Sequence, residues 1–526
     1  MEIRNIPPPT YRTEIRELLA LCFPIIASSL LLFALNIEDQ LIVGHLLTKE
    51  DLAAVALANT FFNLFWYVLV GLMSAIDTFG AQAYGAKQYK QVGVWAQRGL
   101  FICLVASIPM VLILVTSTQW IVLHVFNQEP NVAAKTALFI NFLMPGLPFL
   151  IVADVLRRWL QVQGHLSPAV YTGVIVNLLN IGLNFLFIHW FGLKGSPLAT
   201  SFSRILQVVF LLMIIKYRKL NYKTISSSDS SSISPSESNS TISTISTMPK
   251  WNWDVILQKA PLKSFLTVAM PGAAMLLLEA GAFETSTLIV GSLGNIDILD
   301  AHFVMLSLCG FSFVAFPLSV SIAASIRVGW LLGQEKPKHA QMSGWLSVFL
   351  GVSFMTFNGI LFASCRNYLG YIFTTNIVII ELVSKIAMIA ALFQIVDGVQ
   401  GTVAGVLRGC GRQKYVALTN LLGFWLLGVP IGLLLAFPGG LGVYGVWWGL
   451  FIGLTVASTA SVWILYNVDW INESKLALKR VTRSDGSGSR SNSSDSKMSS
   501  IAIALVGNDN NDVALLSAMD AEIEVA

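Results

Sequence analysis

Two carboxylates interrupt the apolar run MLLLEAGAFETSTLIVG at residues 275–291: Glu279 and Glu284. An ionised side chain near the centre of a bilayer costs roughly 2.5–3.5 kcal/mol even on lenient insertion scales, so a segment meant only to span would avoid both. Such a group can hold a proton when no cation is present and give it up when one arrives, which makes exchange the chemistry to expect. At a helix rise of 1.5 Å per residue, Glu284 lies about 7 Å beyond Glu279 and is turned from it by about 140°, so the two address different neighbours. A third acid, Asp397 in FQIVDGVQGTVAG, falls near the middle of another apolar segment, and its glycine neighbours leave room for a close helix contact or an ordered water. Earlier in the chain, LNIEDQLIVG carries Glu38 and Asp39, about 100° apart on a helix, so one of them is expected to reach a cavity. Asn177, Asn180 and Asn184 in NLLNIGLN share a helix face by their spacing. They could line a polar pocket with Asp39 or simply hydrogen-bond between helices, and the residues alone leave both readings open.

The elements that must hold these groups are membrane helices. Of 526 residues, 55% are hydrophobic and 12% charged, against about 25% charged in a soluble domain. Windows of about 20 apolar residues, enough to cross a hydrocarbon core, recur twelve times. The expected fold is an all-α polytopic membrane protein with twelve transmembrane helices in two six-helix lobes. The boundaries are a cytoplasmic N-terminus 1–17, an N-lobe 18–217, a Ser-rich cytoplasmic linker 218–262, a C-lobe 263–466 and a disordered cytoplasmic tail 467–526. The first apolar window lacks a small-residue cleavage site and is expected to stay in the mature protein. Lysines and arginines gather in alternate loops, among them Lys87, Lys90, Arg157, Arg158, Arg327, Arg408 and Arg412. That bias puts both termini inside the cell. The net charge of +4 is therefore topological and does not point to nucleic acid. Five cysteines, scattered singly through apolar segments, read as small buried hydrophobes and not as a disulfide or metal framework.

The halves resemble each other. FPIIASSLLLFALNIEDQLIVGHL begins a Pro24-to-Gly44 segment, and MPGAAMLLLEAGAFETSTLIVGSL repeats the spacing from Pro271 to Gly291. LRRWLQVQG at Leu156 is matched by LRGCGRQ at Leu407. Six crossings precede the second half, so both halves enter the membrane with the same orientation, a plan that places a substrate site near the midplane between repeats.

Four strings carry a family likeness: AIDTFGAQAYGAKQYKQVGVWAQR (75–98), LRRWLQVQG (156–164), SIAASIRVGWLLG (321–333) and GVLRGCGRQKYVALTNLLGFWLLGVPIG (405–432). Across roughly residues 15–466 the chain resembles the multidrug and toxic compound extrusion (MATE) family, particularly its eukaryotic branch. The resemblance implies an antiporter, not an enzyme, that expels organic cations, drugs or metabolites in exchange for protons by alternating access. It implies no cofactor beyond a proton or sodium gradient, and a monomer in a lipid bilayer, most often the plasma membrane or else a vacuolar or vesicular one. On the family motif, Glu279 and Glu284 resemble its proton and substrate carboxylates, Asp397 matches an acidic position of its second lobe, and Asp39 stands where bacterial members keep a cation-coupling aspartate. The string LEAGAFE departs from the family's usual aromatic pair at Ala280 and Gly281. Alternatives are a sodium-coupled exporter, an organic-anion exporter and a lipid-linked sugar flippase of the same superfamily. The flippase would want a cationic cavity, whereas the embedded charges here are chiefly acidic. No GxxxxGK[ST] loop is present to use nucleotide energy. Asp77 and the arginines Arg157 and Arg158 are expected to be structural.

Overall fold

The computed structural model describes residues 10–124, 126, 128–226 and 242–482. Eleven helical runs among them are long and apolar enough to cross a membrane. One of these, Ser167–Tyr217, is a hairpin: the chain turns at Gly192 with a positive φ, and a Cβ on Gly195 would fall 2.2 Å from the Phe187 carbonyl oxygen. The two arms make twelve passes in all. They are α1 (Tyr11–Leu46), α2 (Lys49–Gly85), α3 (Tyr89–His124), α4 (Pro130–Gln161), α5 (Ser167–Phe191), α6 (Gly195–Tyr217), α7 (Lys259–Gly291), α8 (Ile296–Gly333), α9 (Pro337–Ile372), α10 (Ile377–Gly409), α11 (Gln413–Ala436) and α12 (Val443–Tyr466).

Prolines shape several of these helices. Pro24 and Pro271 sit inside α1 and α7 at equivalent places, and Pro317 restarts α8 after Phe316 leaves regular helix geometry, because proline supplies no donor to the preceding turn. The repeat extends to the turns: Lys87 and Glu335 both adopt φ of 60°, and Gly164 and Gly411 adopt 80° and 77°.

We call the face where α1 begins the basal face. There the lobes are clamped. Arg327 of α8 donates twice to Glu14 of α1, at 2.8 Å each, the Trp330 indole donates to the Val162 carbonyl (2.7 Å), and Gln82 of α2 donates to the Gly409 carbonyl (2.9 Å). Higher in the membrane, α2 and α7 nearly touch at Gly71, where a Cβ would lie 2.4 Å from the Ala273 Cα; any larger residue would pry the lobes apart. Phe33 of α1 meets Phe311 of α8 at mid-depth (6.0 Å).

Two expectations change. The segment after α6 is not all linker: Tyr222–Ser226 pairs antiparallel with Ile242–Ser246, and residues 247–256 lie against α3 and α4. Gln97 donates to the Pro249 carbonyl (2.8 Å), Trp159 to that of Thr247 (3.2 Å) and Arg98 to that of Val255 (2.8 Å). The reason is composition. The serines concentrate at 227–241, outside the described residues, whereas Met248, Trp251, Trp253 and Ile256 are apolar.

The expected tail likewise begins with an ordered helix, α13 (Trp470–Thr482), which buries Trp470, Glu473, Ala477 and Val481. Glu473 accepts from Arg412 at 2.7 Å. The alternation of these residues with lysines is that of an amphipathic surface helix. The remainder, 483–526, lies outside the described residues.

Candidate functional site

In the C-lobe, Glu279 is half-buried on α7, and its Oε2 accepts a single hydrogen bond, from the Asn420 amide of α11 at 3.3 Å. Asn420 is itself held: it donates to the Met275 carbonyl (3.1 Å) and accepts from Gln400 of α10 (2.7 Å). Asp397 stands one helical turn from Gln400, is buried, and has no hydrogen-bond partner among the described residues. Its charge and that of Glu279 act on each other. The structure thus brings together the two second-lobe acids expected from sequence, with Asn420 and Gln400 as residues the sequence reading missed. Their signal was available: Gln394, Asp397 and Gln400 recur every three residues along an apolar helix, which places them on one stripe.

Directly after Asn420 the helix widens into a π-helical stretch, Leu421–Gly428, a geometry that recurs at functional sites. It carries Trp425, whose indole donates to the Leu278 carbonyl at 2.8 Å. A Cβ on Gly281 would approach the Trp425 ring to 3.1 Å. Gly281, at one of the two positions where an aromatic pair is expected from the resemblance, thus leaves room for a tryptophan from α11.

Glu284 is turned from Glu279 as the helix geometry requires and has no hydrogen-bond partner among the described residues. Tyr67 of α2, in the other lobe, lies within the electrostatic reach of both glutamates. Tyr67 is also absent from the sequence reading, because nothing in an aromatic-rich helix distinguishes a residue near the other lobe from a lipid-facing one.

The N-lobe acids form a second, tighter group. Asp39 is buried and accepts from Asn180 (3.3 Å), Asn184 (3.0 Å) and the Thr200 hydroxyl (2.6 Å). Asn180 also donates to Glu38 (3.2 Å) and accepts from Ser203 (2.9 Å). Arg204, buried over the Phe62 ring at 4.9 Å, contributes a fixed positive charge that acts on Asp39. Both Glu38 and Asp39 thus engage the asparagine face. Asn177 does not: its amide donates to the Gly173 carbonyl of its own helix (2.7 Å). Nearer the basal face, Asp77 pairs with Arg158, and Asp154 with Arg157 and Arg158, in one buried ion-pair network.

The MatE family model matches residues 24–186 and 271–434, two segments that begin at the equivalent prolines 247 residues apart. The chain belongs to the MATE family. Multidrug and toxin extrusion protein 1 of Danio rerio is 32% identical over 482 residues, which cover 91% of this chain and 76% of that protein. The Homo sapiens protein of the same name is 32% identical over 463 residues, covering 88% and 76%. Among solved structures, the eukaryotic MATE transporter AtDTX14 superposes with a TM-score of 0.78 at 26% identity, covering 90% of this chain and 99% of that one. The Vibrio cholerae MATE transporter VcmN, in its bent form, gives 0.72 at 17% identity over 89% and 99%, a likeness of fold. This MATE protein is a multi-pass membrane transporter and not an enzyme, and its two matched segments coincide with the two lobes that carry the acid groups.

Proposed function

We propose that the protein exports small organic cations in exchange for protons, with the basal face and both termini cytoplasmic, and that Glu279 and Asp397 carry the exchange. One observation supports this most: two interacting carboxylates lie in membrane-spanning helices, one holding, among the described residues, a single amide donor and the other none. Groups bound so loosely can gain and lose a proton or a cation without breaking a packed network. A bare carboxylate pair in low dielectric makes rearrangement of the lobes costly, whereas a pair neutralised by a proton or by substrate does not. The clamp at the basal face, with the cleft beyond it, corresponds in this reading to an outward-facing state ready to release substrate and take protons.

Aromatic surface from Tyr67 and Trp425 beside acidic groups suits a flat or quaternary cation, through ring faces as well as charge. In the N-lobe, Arg204 already supplies Asp39 with a positive partner, which favours protons over sodium as the coupling ion. The alternatives of sodium drive, anion export and lipid-linked sugar transfer are separated by one experiment. In proteoliposomes loaded with ethidium as a probe, an imposed pH gradient is expected to drive ethidium movement and a sodium gradient is not. Drive by sodium alone would overturn the reading, as would transport of anionic dyes in preference to ethidium.

A further inference from the structure

The C-lobe contains a line of buried polar side chains that the exchange at Glu279 does not use. His302 of α8 is fully buried; its Nε2 lies 3.4 Å from the Ser286 hydroxyl and 3.3 Å from that of Thr287, both on α7, while its Nδ1 has no partner among the described residues. Among the same residues, Gln394 of α10 is fully buried with both amide atoms unpartnered, and Asn358 of α9 is buried with its amide nitrogen unpartnered. The Trp447 indole N–H, from α12, likewise finds no partner among them, and its ring sits 5.8 Å from His302 and 6.0 Å from Phe393.

These groups are arranged in depth. A Cβ on Gly401 of α10 would lie 3.0 Å from Pro317 and 3.2 Å from Phe313 of α8, so Asp397, one turn earlier on α10, stands level with the turn of α8 that carries Cys309. His302 is seven residues before Cys309, two turns or roughly 10 Å toward the far face. Gln394 lies one turn from Asp397 in the same direction. Asn358 is beside it, since its neighbour Gly359 packs against Ala391 and Ile395 and Met355 packs against Gly398. Buried polar atoms without protein partners are costly unless water satisfies them, and buried waters in proteins typically make about three such bonds each.

We propose that protons reach Asp397 along a hydrated line inside the C-lobe, through His302, Gln394 and Asn358, separate from the interlobe cleft by which substrate reaches Glu279. The inference rests on the proton-coupled reading above. Each step conserves charge and atoms: a water takes a proton from one side and releases another to the next. His302 accepts at one ring nitrogen and gives up a proton from the other. Gln394 and Asn358 carry no proton themselves and act by positioning the waters. The charged and titratable groups facing this line are Asp397 and Cys309 at its inner end and, past Asp397, Glu279 of α7.

The test uses the full-length protein in proteoliposomes with ethidium as probe, measured in two modes: driven by a pH gradient, and as ethidium–ethidium counterflow without a gradient. Gln394→Leu removes the water-holding amide and keeps the apolar packing. It is expected to slow gradient-driven movement about tenfold, equal to ~1.4 kcal/mol on the limiting barrier, with counterflow and membrane abundance unchanged. Asn358→Leu should act in the same direction and serves if Gln394→Leu is poorly inserted, while Gln394→Asn should recover part of the loss. Equal loss in both modes would show a packing role and overturn the proposal, and so would gradient-driven transport at the wild-type rate. A wild-type protein with counterflow but no response to pH would overturn proton coupling itself, a result distinct from failure of the internal route.

Discussion

Helices α1 and α7 are one element used twice, yet their acids lie at different depths and are treated differently. Across the 247-residue repeat, Glu279 falls opposite Leu32 and Asp39 opposite Ser286, a separation of seven residues or roughly 10 Å along the helix. Asp39 receives three hydrogen bonds and the field of Arg204; Glu279 lies in the field of Arg408 but receives, among the described residues, one hydrogen bond, and Asp397 beside it none. With Gly195 and Gly445 taken as equivalent turns, Thr200 and Arg204 become Leu450 and Leu454, two buried residues of an aromatic and aliphatic cluster. One lobe thus uses its polar residues to fix a charge in place, the other to leave charges free to change. Donors and a nearby cation offset part of what burial costs a carboxylate, and they hold it in one place. A carboxylate with few partners responds to whatever enters the cleft.

The largest effect that bears on this contrast is loss of coupling. Glu279→Gln keeps the shape and can still meet Asn420 but cannot ionise, so gradient-driven ethidium transport should fall to the level of empty vesicles while membrane abundance holds. Asp39→Asn, per inserted molecule, should keep most of its transport. Equal loss in the two variants would erase the proposed division between lobes.

Next in size is a stability effect. Arg158 is the shared cation of Asp77 and Asp154, all three buried. Arg158→Met leaves two carboxylates without it, and breaking a buried pair from one side costs about 3–5 kcal/mol. The fraction of detergent-extracted protein surviving a heat step should drop sharply. Normal heat survival would mean that these charges are hydrated and not structural.

A smaller effect measures how firmly Asp39 is tied. The double-mutant cycle of Asp39→Asn and Arg204→Gln should show a coupling of about 1 kcal/mol in thermal stability, within the range for residues of one electrostatic network. Additive losses would show that Arg204 does not compensate Asp39, and would reopen that site to an external cation.

These contrasts were only partly visible in the sequence. Hydropathy, loop charge and the Pro-to-Gly repeat sufficed for the twelve passes and two lobes, because the bilayer imposes a length and composition that leave few alternatives. Glu279 and Asp397 were legible because an acid in an apolar run is energetically unfavourable. Their partners were not: Asn420 lies 141 residues from Glu279, and which face of α11 meets α7 is set by tertiary packing and by a π-helical stretch that no local pattern announces. Arg204 was hidden for the same reason, since a single basic residue near a helix middle does not reveal which acid it serves. In α13 the periodicity was present, but the charged residues around it and the adjoining Ser-rich tail masked it.

The smallest expected effect concerns the basal clamp, which must open if the cleft is to face the other side. Arg480 of α13 donates to the Cys410 carbonyl of the C-lobe at 2.9 Å and to Gln82 Oε1 of the N-lobe at 3.4 Å. It therefore joins the lobes where they are closed, and it does so from a helix that belongs to neither six-helix repeat. Losing one charge-assisted hydrogen bond of this kind should cost the closed state about 1 kcal/mol, or roughly a fivefold shift in the opening equilibrium. Ser74 reports on that equilibrium, because it is buried at the seam where α2 meets Gly272 of α7. In a cysteine-free background, a thiol introduced by Ser74→Cys should react with a maleimide about five times faster when Arg480→Ala is added. Lys475→Ala, on the exposed side of the same helix, should leave the rate unchanged. If Arg480→Ala also leaves it unchanged, α13 merely covers the C-lobe, and closure rests on the direct contacts of α2 with α7, α8 and α10, which the two repeats provide by themselves.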